Sequence, residues 1–239
     1  ATSDVGFGET SVRGLLGLGR TRLRQVLKER PVNGAAILTD EVIPALEDAR
    51  KAALGGPDQQ EPEHSPWLAD IHLHLGEAYK VLYTQYGEQR DEIQEKAMNA
   101  YRQSVETARH TMPLRLATYQ NAWAAAALET KDFPEAVRLA EEVLEAAKQG
   151  EVSPEEEFQA IDIWILAKQP TATETDLEQI RAQIDERLER FPETDPLLAG
   201  RRVRLLHRRS VLTLKNTKPP HPLFEKAGED AGQALKFSD

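Results

Sequence analysis

Two abrupt breaks inside the stretch Gln94–Gly150 constrain this chain more than any other feature. Ahead of the first, Ala97, Tyr101, Val105 and Ala108 recur at steps of three and four, the spacing that lines up side chains along one side of an α-helix. Met112-Pro113 interrupts that helix, because proline lacks the backbone donor that the helical ladder needs. A second helix carries Leu116, Ala117, Ala122, Trp123, Ala126 and Ala127. A tight Thr130-Lys131-Asp132 corner leads to a third, with Ala136, Leu139, Ala140, Val143, Leu144 and Ala147. Small residues on facing helices let backbones approach closely, which predicts a stack of antiparallel helical hairpins. Such a stack leaves a concave face suited to an extended partner.

The flanks repeat the pattern. Residues 1–9 are polar and expected to fray, and a helix is expected from about Thr10 to Arg30. Val12, Leu16, Leu23 and Leu27 lie on one side of it, with Arg13, Arg20, Arg24 and Lys28 in a neighbouring stripe. Gly14, Gly17 and Gly19 each weaken that helix by roughly 1 kcal/mol relative to Ala, so either its start is irregular or another backbone packs there. Asp40 reads as the N-cap of the next helix, which tolerates Pro44 in its first turn and ends at Gly55-Gly56. Pro57–His64 reads as a surface loop. Ser65-Pro66-Trp67 opens a long helix with Leu68, Ile71, Leu75, Ala78, Tyr79 and Leu82 on one face, ending near Tyr86-Gly87. Ser153-Pro154-Glu155-Glu156 and Thr175-Asp176-Leu177-Glu178 have capping-box spacing, and Thr194-Asp195-Pro196 starts a last long helix. No run alternates with period two, so the expected fold is all-α, with about nine helices. It is read as one domain over residues 1–215 and a Pro-containing tail over 216–239.

Composition excludes several functions. The chain has no cysteine, which rules out disulfides and thiolate chemistry. A formal charge of −10 over 239 residues argues against generic nucleic-acid binding. No apolar run approaches the ~20 residues a membrane span needs, and Ala1–Ser11 lacks the order of a secretory leader, so a cytoplasmic protein is expected. His72 and His74 are two apart and point to different sides of a helix, so no metal site is expected. The glycine clusters fit no nucleotide-binding loop, and no carboxylate pair sits in an apolar setting, so no cofactor and no enzyme activity are expected.

Two families resemble this chain. Leu75-Gly76-x-x-Tyr79, Ala97 with Tyr101, and Phe133-Pro134-Glu135-Ala136 with Ala140 resemble the packing positions of tetratricopeptide repeats, and the hairpin period of roughly 35–45 residues falls in the range of such arrays. Ala100-Tyr101 through Met112, then Pro113-Leu114-Arg115-Leu116 and Asn121, resembles the groove-lining helix pair of the 14-3-3 family. Leu75-Gly76-Glu77-x-Tyr79-Lys80 is similar to that family's Gly-Asp-Tyr-Tyr-Arg-Tyr segment, and Arg13-Gly14-Leu15-Leu16-Gly17-Leu18 to its Arg-Asn-Leu-Leu-Ser-Val signature. The resemblance covers mostly Leu75–Ala147. It implies a right-handed superhelical stack of antiparallel helix pairs that holds a peptide, with Arg115 and Asn121 on the groove and Asn121 on the ligand backbone. The family's phosphate-binding Arg-Tyr pair falls on Lys80-Val81, its other groove Arg on Lys28 and its groove Lys on Thr21. A lysine is a point charge without the fork that an arginine offers phosphate.

The candidate ligand-binding residues are therefore Arg20, Arg24, Lys28, Lys80, Arg115 and Asn121. The stripe on the first helix can instead be a solvated face, Lys80 a snorkelling side chain and Asn121 a helix–helix hydrogen bond. The expected function is a non-enzymatic adaptor that holds an acidic or phosphorylated peptide of a protein partner. A structural subunit or tetratricopeptide-type assembly factor is the alternative, with a homodimer left open. A further alternative is RNA or an anionic surface met by the basic helix Arg201–Arg209, whose arginines can equally pair with the acidic run Glu141–Glu157.

Overall fold

The computed structural model describes residues 5–55, 65–87, 90–190 and 199–216. Among these every regular element is helical: α1 Val5–Glu29, α2 Gly34–Ile37, α3 Ile43–Leu54, α4 Pro66–Gln85, α5 Arg90–Thr111, α6 Leu116–Glu129, α7 Phe133–Lys148, α8 Pro154–Lys168, α9 Glu174–Arg190 and α10 Ala199–Asn216. A π turn, Leu38–Val42, joins α2 to α3 without a break, so nine helical rods stand among the described residues. The readings placed on Pro57–His64, on Thr194-Asp195-Pro196 and on the tail beyond Asn216 lie outside the described residues. The chain divides into two compact units, Ala1–Ala126 and Ala127–Asp239, with the boundary inside α6.

In the first unit α1 begins earlier than its composition suggests and is regular throughout. Its inward line is Val12, Leu16, Leu23 and Val26, while Leu27 is 40% exposed. Gly19 is where another helix packs: a Cβ there would lie 2.8 Å from the Leu46 side chain, whereas Gly14 and Gly17 meet nothing within 4 Å. The next rod starts at Gly34, not at Asp40. Pro44 explains how it can run through. Proline removes a backbone donor, and just before it the ladder widens, with the Ile43 N–H reaching Leu38 O five residues back. Ser65 and Pro66 open α4 as their sequence predicts, though the Ser65 side chain makes no capping bond. Gly76 of α4 receives the Tyr101 ring of α5, its would-be Cβ 3.0 Å from that ring. Leu68, Ile71, Leu75, Ala78, Val81 and Leu82 bury against α1, α3 and α5 in one core.

In the second unit α7 and α8 fold back on each other. Asp132 caps α7, and Lys131 turns the preceding corner in the left-handed region at φ 64°. Ser153 and Glu156 form the expected capping box on α8. The second box is displaced: Thr173 and Asp176 form it, through Thr173 N–H to Asp176 Oδ2 at 2.8 Å and Asp176 N–H to Thr173 Oγ1 at 3.3 Å. Burial behind it follows Ile180, Ile184 and Leu188. A charged pair sits in this core. Glu157 and Arg187 are each 1% exposed and 3.5 Å apart, and Arg190 Nη2 reaches the other Glu157 oxygen at 2.6 Å. Burial pulls the Arg187 guanidinium below the usual arginine range, against the opposing pull of Glu186 and Glu157.

Two outcomes are expected. Gly34→Ala would place a Cβ 1.8 Å from Tyr86 Oη and displace the hydroxyl that donates to Pro31 O at 3.2 Å. Alanine ordinarily favours a helix by up to about 1 kcal/mol, so a net loss of roughly 1–3 kcal/mol in urea unfolding, reduced in the Gly34→Ala/Tyr86→Ala pair, identifies the clash. Glu157→Ala removes the buried carboxylate between Arg187 and Arg190 and leaves Arg187 only the half-exposed Glu186, and thermal unfolding should register a loss of about 2–4 kcal/mol. Replacing both Glu157 and Arg187 with apolar residues should recover most of it.

Candidate functional site

At about 100° per residue, Arg13, Arg20, Arg24 and Lys28 fall within an arc of about 80° beside the buried line of α1. The other flank of α1 is engaged: Arg22 Nε lies 3.1 Å from Glu41. Among the described residues Arg20, Arg24 and Lys28 form no ion pair, and Arg24 and Lys28 are exposed. α1 and α4 run in the same direction. Arg20 acts electrostatically on Tyr119, which bonds Asp70 at the start of α4, and Tyr86 at the end of α4 holds Pro31 just past α1. Lys28 and the half-buried Lys80 therefore lie toward the same end of the pair. The α4 wall is of mixed charge: Asp70 and Glu77 share its outward strip with Lys80, and Glu77 is bonded to His74 Nδ1 at 2.8 Å.

The start of α6 completes this face. The Tyr119 hydroxyl donates to Asp70 Oδ1 at 2.7 Å. Arg115 approaches both Asp70 oxygens, at 3.3 and 3.4 Å, with its guanidinium 5.4 Å above the Tyr119 ring. Burial, then the bond to Asp70, holds the Tyr119 phenol above the usual tyrosine range, and Arg115 and Arg20 act in the opposite sense. Arg115 is thus part of the face but already engaged. Asn121 is not on it: it is 0% exposed, and two residues beyond Tyr119 on a helix its side chain leaves from the opposite side. Asp70 and Tyr119 escape a reading by hydrophobic periodicity alone. Their signals are an acid one turn into a mostly apolar helix and a tyrosine four residues after an arginine.

Behind this face, α3, α4 and α5 line a cleft of about 590 Å³ with Arg50, Leu68, His72, Gln103, Glu106 and His110. His72 Nδ1 is buried there and has no hydrogen-bond partner among the described residues. Burial, then the charge of Arg50, lowers its pKa to about 4. Among the described residues no group of three His, Asp or Glu side chains could hold a metal ion.

In the second unit the basic helix is drawn onto acids of α8 and α9. Arg201 pairs with Glu155 at 2.6 Å, Arg208 with Asp162 at 3.0 Å, and Arg209 with Asp185. Arg204 and His207 remain exposed. Glu141 accepts from Trp164 Nε1 at 2.9 Å and lies 3.2 Å from Lys168, whose ammonium sits 4.5 Å over the Trp164 ring. No described helix is long and apolar enough to cross a membrane.

The depressed pKa of His72 has a pH consequence. The folded chain keeps the imidazole neutral down to about pH 4, while the unfolded chain protonates it near the ordinary histidine value of 6.5. Unfolded chains then bind the extra proton, so stability is fully present above pH 6.5 and falls by up to roughly 3 kcal/mol as pH drops toward 4. Thermal melts of His72→Gln should show a flatter profile across that window than the parent protein. No family model matches this chain, and neither a curated protein nor a solved structure does.

Proposed function

We propose that this protein is a non-enzymatic binding module that holds an acidic or phosphorylated peptide segment of a protein partner along the face made by α1, α4 and α6. In this reading the helices nest as antiparallel pairs in a right-handed superhelix similar to 14-3-3 and tetratricopeptide proteins, and the face is its concave side. One observation carries it. Arg20, Arg24 and Lys28 share one flank of α1 and form no ion pair among the described residues, in a chain of net charge −10 where carboxylates outnumber cations. Elsewhere arginines find acids readily, as Arg22, Arg138, Arg201 and Arg208 do. A row of uncommitted cations on an acidic protein attracts an anionic ligand more than it stabilises the fold.

The roles follow from position. Lys28 and Lys80, toward one end, contact a phosphate or carboxylate as point charges, and Arg24 extends the positive strip along the ligand. Arg115 stands at the other end on Asp70, with Arg20 within electrostatic reach of Tyr119.

Fluorescence anisotropy with a labelled peptide in phosphoserine and serine forms tests this. The phosphorylated form should bind at least about tenfold tighter, and Lys28→Gln or Lys80→Gln should each cost about three- to tenfold. Equal affinity for the two forms removes phosphate recognition. Failure of both forms and of a Glu-rich peptide removes the module.

A further inference from the structure

Arg115 faces a carboxylate of its own chain, Asp70. Its side chain is 47% exposed, against 14% for Asp70. Its two contacts to Asp70, at 3.3 and 3.4 Å, are long for a charged pair, where about 2.7–2.9 Å is usual. The short bond to Asp70, 2.7 Å, comes from the Tyr119 hydroxyl. Asp70 is therefore anchored by a neutral donor, while the guanidinium rests over the Tyr119 ring with an outer edge in solvent. Arg20 is within electrostatic reach of the same tyrosine. The Arg115–Asp70 pair is itself neutral, and Arg20 adds positive potential without an ion pair of its own among the described residues.

We propose that Asp70 is a built-in competitor that sets the charge a ligand must carry to bind this end of the face. Its carboxylate occupies the place on Arg115 that an anionic side chain of a bound peptide takes. The proposal rests on reading the α1/α4/α6 face as peptide-binding. A ligand carboxylate only replaces an equal charge that is already tethered at high effective concentration, and gains little. A phosphate, with up to twice the charge and three acceptor oxygens, draws the outer edge of Arg115 away from a long contact that holds it weakly. Asp70 thus selects phosphate over carboxylate, and Arg115 needs only a side-chain rotation to respond.

The test uses the full chain and two labelled peptides of one sequence, carrying a single glutamate or a single phosphoserine. Asp70→Asn keeps an oxygen for Tyr119 to donate to and removes the charge; Asp70→Ser is a second variant that also keeps an acceptor. Both should tighten the glutamate peptide by about tenfold and the phosphopeptide by less, narrowing the gap between them. Arg115→Gln added to Asp70→Asn should abolish the gain. If the variants fold, by circular dichroism, and bind both peptides as the parent does, Asp70 is no competitor, although the peptide-binding reading stands. If neither variant folds, Asp70 is a structural residue and the inference is wrong. If no form of the protein binds either peptide, the inference and the functional reading fail together.

Discussion

The first unit depends on α4 burying several sides at once. Leu68, Ala69, Ile71, Leu73, Leu75, Ala78, Val81, Leu82 and Tyr83 are all nearly or fully buried, far more than one face of a helix holds. A helix apolar on most sides must be enclosed, and α1, α3 and α5 enclose this one. Gly76 makes that possible by admitting the Tyr101 ring against the backbone. The enclosure also decides where chemistry can occur. The polar residues of α4 are pushed onto two remaining strips. One carries Asp70, Glu77 and Lys80 toward α6 and the cationic flank of α1, and the other carries His72 toward the cleft.

Charge is handled differently in the second unit. There cations and acids are brought together, from the buried Glu157 and Arg187 to the ring of pairs between α10 and its neighbours. Buried ionic pairs add little net stability, yet removing one partner is costly because the other charge remains in a low dielectric. Such pairs fix how α8, α9 and α10 meet more than they hold them together. The first unit instead leaves Arg20, Arg24 and Lys28 of α1 without an acid among the described residues, which is why the functional reading sits there.

Much of the helical pattern is legible in the sequence, because steps of three and four and the breaks at Pro113 and Thr130–Asp132 are local properties. The boundaries are less so. Asp40 has the chemistry of an N-cap, yet tertiary packing of Gly34 and Leu38 extends the rod past it. Thr173 and Thr175 both precede an acid at capping spacing, and only the fold decides between them. Val26 and Leu27 differ by one step around α1, within the uncertainty of any periodic reading. The stripe Arg20, Arg24, Lys28 follows from helix geometry alone. Arg115's partner does not, since Asp70 lies far away in sequence, and nothing local says that Asn121 is inside.

The π turn Leu38–Val42 has one further consequence. In a plain α-helix, residues four apart drift by about 40° around the axis, so Leu38, Val42 and Leu46 would spiral away from a common line. The wider turn cancels that drift, and all three are fully buried. Shortening the turn by one residue would give an ordinary helix but rotate everything ahead of it by about 100°, carrying Gly34 off the Tyr86 ring. The irregularity is a register pin, and loss or gain of a residue is tolerated less there than in a surface loop.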